Sequence, residues 1–257
     1  MTTLVWSGST AVLTRVSWDN IFRRTGAIVT VSAGDNKEYL YDWRVHRRFS
    51  PGAGDITITV VLLSAEAINH FWMLGHNLAT DGSTIKGEYW DGSAWQTAFA
   101  AVGPSDNKML WIDFASVVTS QFRVTILGST AAEIGQIFVG NATNMERGIS
   151  PGFTPPRRGY ATDSTLYTNG GGYPIGRASR LSPFVTRMAI RDLSHEWVRD
   201  IFMPFYEHAT VYPWALQWST LYPTETALCW TEETPEAPNY QTSIHMQLSW
   251  RINMIWQ

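Results

Sequence analysis

The 257-residue chain predicts a mainly β protein, an antiparallel sandwich followed by a second β-rich domain with one short helix, and three observations lead there. In DITITVV, Ile56, Ile58 and Val60 share one face while Thr57 and Thr59 share the other, the two-residue period of a half-buried strand. Short runs of this kind recur between turn signals from residue 27 to residue 140. A single segment, near Ser194, has the spacing of a helix instead.

The elements follow in order. Ala27–Ser32 reads as a strand that ends in the turn Ser32-Ala33-Gly34-Asp35-Asn36, and Glu38–Phe49 is aromatic and mixed up to the break at Ser50–Gly54. After DITITVV comes the dense apolar run His70–Leu74, which stops at Gly75-His76-Asn77. Ile85, Gly87 and Tyr89 alternate, Asp91-Gly92-Ser93 reads as a hairpin turn, and Trp95–Ala101 returns. Met109–Phe114, then Phe122, Val124 and Ile126, then Ile134–Val139 complete the set.

Ser150–Arg158 carries three of the twelve prolines, so it predicts an extended strap that lies along a neighbour rather than on its own domain. The expected division is 1–149 for the sandwich with an N-terminal extension, 150–159 for the strap and 160–257 for the second domain. Within the last, Leu193, Trp197 and Ile201 fall four apart with Val198 and Phe202 beside them. Ser194 can cap that helix, and Pro204 should end or kink it. Thr210–Gln257 returns to strands.

Composition narrows the function classes. Charged residues make up 16% of the chain and aromatic residues 13%, against roughly 25% charged in ordinary soluble domains. Rings in that number either face neighbouring subunits or fill β cores. A net charge of -3 predicts no general attraction to nucleic acid or anionic lipid. The short basic cluster Arg44, His46, Arg47, Arg48 reads as a solvated strand face. The one cysteine, Cys229, excludes an intramolecular disulfide and fits folding in a reducing cytoplasm. Met1–Val16 shows no signal-peptide pattern, and no apolar run is long enough to insert in a membrane.

Catalytic constellations are missing from the sequence, and no cofactor or metal is predicted. His195-Glu196 opens like a zinc-protease helix, but Arg199 stands where the second histidine is needed. Gly170-Gly171-Gly172 lacks the Lys-Ser/Thr of a phosphate loop. Cys229 sits between Leu228 and Trp230, the setting of an inert thiol, and Glu232-Glu233 would point to opposite faces of a strand. Binding chemistry is the remaining option. Tyr89, Trp90 and Trp95 flank the Asp91-Gly92-Ser93 turn and form a candidate glycan platform, because rings stack on the apolar faces of sugars. The competing reading makes the same rings a cover for the sandwich.

The succession EYLYDWRVHRRF, DITITVVLL, INHFWMLGHNL, EYWDGSAW, QFRVTILG and IGQIFVG with NMERG resembles the galactose-binding-like (discoidin-type) jelly roll of bacteriophage tail proteins. Gly75-His76-Asn77-Leu78 is similar to that family's loop after an early core strand, with His76 and Asn77 fixing a tight turn. The segment LSHEWVRDIFMPFYEHATVYPWALQW resembles phage tail-tip proteins in which a helix precedes a strand that starts at Pro-aromatic. The resemblance implies a virion tail component, at the tail tip, the baseplate or the tail-fibre attachment, assembled in the host cytoplasm. Its implied partners are other tail proteins, copies of itself and host-surface polysaccharide. The alternative is a stand-alone carbohydrate-binding module.

Overall fold

The computed structural model describes residues 13–156, 160–242 and 244–255. Contacts divide the chain into two compact units, Arg15–Asn144 and a second unit built from 145–256 with residues 13–14. Strands dominate both, and the pairings whose register is described are antiparallel.

The first unit holds β1 (Arg15–Ser17), β2 (Ile28–Val31), β3 (Phe49–Leu74), β4 (Thr84–Trp90), β5 (Trp95–Val102), β6 (Leu110–Ile134), β7 (Gln136–Gly140) and β8 (Thr143–Asn144). A four-residue helix, α1 (Leu78–Asp81), follows β3. The main sheet runs β2-β3-β6-β4-β5, β7 pairs with the far end of β3, and β1 pairs with β8.

Two expected pairs of strands are fused. DITITVV and HFWML belong to one 26-residue strand, and MLWIDF and QFRVTIL to one of 25 residues. No glycine or proline lies between the paired runs, so the ladder bends through bulges rather than breaking. Register shifts between Val61/Glu66 and Ile68/His70 mark that corner. At the corner Thr119, 2% exposed, donates its hydroxyl to the Trp90 and Gln121 carbonyls. The bend folds one ladder into two layers. Ile56, Ile58, Val60, Phe122, Val124 and Ile126 from one limb pack with Phe71, Met73, Ile137 and Val139 from the other.

Residues 38–48 form no strand, and Phe49 opens β3. Lys37–Leu40 forms a 3-10 turn and the rest is loop, so the basic cluster within it is no strand face. His76 and Asn77 do hold a turn. His76 Nε2 bonds the Lys108 carbonyl at 2.7 Å, and the Asn77 side chain joins Ala131 O and Glu133 N. Gly75 has φ +70, a conformation that strains other residues, and a Cβ there would also have to displace the Arg48 guanidinium, 2.0 Å away.

The second unit holds β9 (Tyr160–Thr168), β10 (Pro174–Ser194), β11 (Trp214–Gln217), β12 (Thr226–Trp230), β13 (Asn239–Tyr240) and β14 (His245–Ile255). Its strands run β11-β12-β14-β10-β9, with β13 beside β14. Helix α2 (195–209) starts where expected, the Ser194 hydroxyl accepting from the Trp197 N–H at 3.3 Å. It does not end at Pro204. A π turn over Val198–Phe202 lets the Met203 N–H bond the Val198 carbonyl, five residues back. Pro204 then enters the first turn of a new α segment, where its missing N–H costs nothing. Val198, Phe202, Phe205 and Ala209 face the core, whereas Ile201 is 45% exposed. Phe202 and Phe205 meet Trp250 at 5.4 and 5.7 Å between centroids, and Phe205 meets Trp214 at 5.1 Å.

The strap also departs from expectation. Its residues 157–159 lie outside the described residues, but 150–156 follow their own unit. Ser150 N bonds Ala189 O at 2.7 Å, Thr154 N bonds the Thr186 hydroxyl, and Phe153 packs near Trp218.

One buried polar network has a measurable consequence. His70 is fully buried, donates from Nδ1 to Gly140 O at 2.9 Å and accepts the Ser17 hydroxyl at Nε2 at 2.6 Å. Trp72 Nε1 donates to the same Ser17 oxygen at 2.8 Å. Burial, with the nearby Arg15 charge, lowers the His70 pKa to about 3, so the ring stays neutral. The unfolded chain therefore takes up the proton first as pH falls from 6.5 toward 3. Stability carried by His70 is complete above pH 6.5 and is lost progressively as pH falls across that window. Urea melts from pH 7 downward should show that fall, and His70→Gln should flatten it.

Candidate functional site

The three residues singled out from the sequence divide between the two faces of the β4–β5 hairpin. Tyr89 lies with Phe122 and packs against the core, while Trp90 points to the outer face. Trp90 and Trp95 are register partners across the hairpin and meet edge to face, 5.6 Å between centroids. The turn joining them is rigid. Asp91 accepts the Ser93 and Ala94 N–H groups at 2.8 Å and the Gln96 amide at 2.7 Å. Those bonds, the Ala94 N–H first, hold its carboxyl far below the usual range. Arg123 covers one face of Trp95 at 4.3 Å and bonds Glu88 at 2.8 Å, with Lys86 also near Glu88 at 3.3 Å. The hydrogen bond from Arg123 lowers the Glu88 pKa. The structure thus offers Trp90 with half of Trp95 as ring surface, and Tyr89 is directed elsewhere.

A second constellation was missed in the sequence. Phe22, Arg23, Arg24, Ala27, Val29, Glu38, Tyr41 and Asp42 line an open pocket of about 460 Å³ in the first unit, inside the range of roughly 300–1,000 Å³ common to small-ligand sites. Its lining combines the buried Phe22 and Val29, the half-buried Ala27, Tyr41 and Asp42, and the exposed Arg23 and Glu38, with the Tyr41 and Phe22 rings 6.3 Å apart. Arg24 is committed to Asp19 and Glu66, with contacts of 2.5–2.9 Å. Burial, and then the Glu38 charge, raise the Tyr41 pKa, so its phenol stays protonated and able to donate.

The loop that supplies Glu38, Tyr41 and Asp42 is held in a strained shape. Among the described residues, two of the three non-glycine residues with positive φ lie in it, Asn36 at 61° and Trp43 at 66°. Asparagine tolerates that region, but for tryptophan it is a true outlier. Gln136, 1% exposed on β7, pins the loop at three points: it donates to Tyr39 O at 2.8 Å and Asp42 Oδ1 at 3.1 Å, and accepts the Trp43 N–H at 3.1 Å. Arg47 lies over Tyr39 at 5.1 Å and Arg23 over Trp43 at 5.5 Å. The signal in the sequence was the density of rings and charges in EYLYDW, which carries no period that would mark it as a binding loop.

Cys229 is buried, and desolvation raises its thiol well above the ordinary value, in keeping with packing. Among the described residues no group of three or more His, Cys, Asp or Glu side chains is placed to hold a metal ion. Gln136→Ala should lower stability by about 2–3 kcal/mol, since it removes three hydrogen bonds to half-buried partners in the loop. Chemical melts check the size, and hydrogen exchange should show the loss concentrated at residues 36–43.

No protein-family model matches the chain, and no curated protein matches it. Solved structures do. A pectin-binding carbohydrate-binding module is 18% identical over 44% of this chain and 88% of its own, with a TM-score of 0.37. A Clostridium perfringens CBM32 module in complex with GalNAc-β-1,3-galactose is 13% identical over 44% of this chain and 94% of its own, at 0.38. A Ruminococcus gnavus GH29 fucosidase is 15% identical over 49% of this chain at 0.42, and the chain spans only 27% of that enzyme.

Proposed function

We propose that the first unit is a carbohydrate-binding module, and that the pocket lined by Tyr41 is where the sugar sits. The observation that carries this reading is a ring and planar charged groups brought to one pocket by a loop in strained, pinned backbone. A pyranose has an apolar face that suits the Tyr41 ring and the Phe22, Ala27 and Val29 side chains. Its hydroxyls suit the Glu38 and Asp42 carboxylates as acceptors and Arg23 as donor. Preorganisation of the loop reduces the ordering cost of binding, which is the return on holding Trp43 in a disfavoured conformation. Trp90 and Trp95, first singled out as the platform, remain a separate ring surface on the outer face.

The other reading, a structural part of a virion tail, would give the exposed arm at residues 164–179 of the second unit a neighbour to contact. Mass spectrometry of virions tests it directly.

The binding reading is tested with immobilised and soluble polysaccharides, neutral and acidic, in affinity electrophoresis. Tyr41→Ala should reduce retention at least about tenfold, the loss of roughly 1.4 kcal/mol or more expected when a stacking ring is removed. Trp90→Ala should leave retention unchanged if the pocket is the site. Retention lost with Trp90→Ala and kept with Tyr41→Ala would move the site to the outer face, and no retention of any polysaccharide would overturn the reading.

A further inference from the structure

Strands β10 and β14 set two arginines against each other. Arg187 and Arg251 are register partners, between the pairs Thr186↔Ile252 and Met188↔Trp250. Side chains directly opposite on a ladder share one face with Cβ atoms about 5 Å apart, and like charges there repel. Both arginines are exposed, whereas Met188, Trp250 and Ile252 are buried on the other face. The next pairs on the arginine face, Val185↔Asn253 and Ala189↔Ser249, carry no charge that would offset the repulsion.

The two arginines line a pocket of about 470 Å³, and the loop 233–236 lines it with them. That loop is fixed through its backbone: the Pro235 carbonyl accepts the Tyr206 hydroxyl at 3.0 Å, and the Glu236 carbonyl accepts Trp250 Nε1 at 2.9 Å. Neither Glu233 nor Glu236 forms an ion pair with Arg187 or Arg251. Among the described residues the Arg187 guanidinium bonds the Ser249 hydroxyl alone, at 2.5 Å from Nε, and the Arg251 guanidinium has no partner. Other arginines are answered by acids: Arg15 by Asp113, Arg24 by Asp19 and Glu66, and Arg123 by Glu88.

We propose that this pocket binds a small oxyanion, a carboxylate, sulfate or phosphate group, between Arg187 and Arg251. A negative ion with two or more oxygens converts one repulsive pair into two charge-assisted contacts, and the planar guanidinium matches paired oxygens. Ser249 holds Arg187 by Nε, which leaves its terminal nitrogens for the anion. Glu233 and Glu236 in the same pocket disfavour a polyanion such as a nucleic acid, so the ligand is a small ion or one pendant acid group. This site lies in the second unit and does not depend on the sugar pocket of the first.

The test titrates acetate, sulfate and phosphate separately into the full chain at constant ionic strength in chloride, following the arginine Nε–Hε signals by NMR. At least one anion should move the Arg187 and Arg251 signals along one saturable curve and leave Arg191 in place, and the anion that does so identifies the acid group. Arg251→Gln should weaken that binding at least about tenfold. Thermal melts are the second readout. In chloride alone Arg251→Gln should be at least as stable as the unaltered chain, because the repulsion is gone, and in saturating anion the order should reverse. Glu233→Gln and Glu236→Gln should keep their stability in chloride and bind the anion more tightly. The proposal is overturned if no anion saturates or if arginines shift alike along the whole chain. It is also overturned if Arg251→Gln, Glu233→Gln or Glu236→Gln loses stability in chloride alone, since the glutamates would then be the partners of the arginines.

Discussion

In the first unit, most of what is built depends on β3 and β6 staying paired around a corner. Their register runs from Phe49↔Ile134 to Met73↔Leu110, with shifts where the strands turn. A flat ladder of that length would expose one face along its whole course. Bending brings Ile58 and Val124 on one limb against Phe71 and Met73 on the other, so a single pair of strands closes most of its own core. The short elements are fitted onto that frame. β7 extends it beside residues 70–74, β4 beside residues 122–127, and the loop with Glu38, Tyr41 and Asp42 is tied to it through Gln136.

Two buried polar side chains show how the frame fixes parts that hydrophobic packing would leave loose. His70, Ser17 and Trp72 form a chain of hydrogen bonds that fastens the short β1 to β3, and it holds only with a neutral imidazole. Gln136 does the same for a loop without regular structure beyond one 3-10 turn. Three residues of β1 could not be held by their own ladder with β8, which has two register pairs. In both places a directional group sets a position that area burial, being non-directional, cannot.

What could be read from the sequence follows from these forces. Period-two alternation at Ile56, Ile58 and Val60 reports burial on one side, and burial is what the strand does there. The Asp91-Gly92-Ser93 hairpin and the Ser194 cap are local chemistry and were legible for that reason. The corner in β3 was not, because a bulge is specified by both strands together and leaves no glycine or proline as a mark. Nor was the passage of α2 through Pro204, since a π turn four residues upstream has no residue signature of its own. The ring count was ambiguous from the start. Trp72, Trp214 and Trp250 proved to be core at 0–1% exposure, and Trp90 and Trp95 stayed half-buried on the surface.

The candidate sugar pocket was hidden for a related reason. Tyr41 and Arg23 stand 18 positions apart in the chain, and it takes the loop and the 3-10 turn Ile21–Arg23 to bring them together. Trp43 shows what the arrangement costs and what maintains it. A tryptophan at φ 66° would relax to ordinary backbone if the loop were free, so its conformation is imposed by contacts around it. Those contacts are the Gln136 bond to its N–H, the Arg23 guanidinium over its ring and Trp72 at 6.3 Å. Arg23 also reaches the Tyr41 carbonyl at 3.4 Å, so a residue that lines the pocket helps hold the strained turn. On the proposed reading, a ligand that engaged Arg23 would touch the same set of contacts that positions Tyr41.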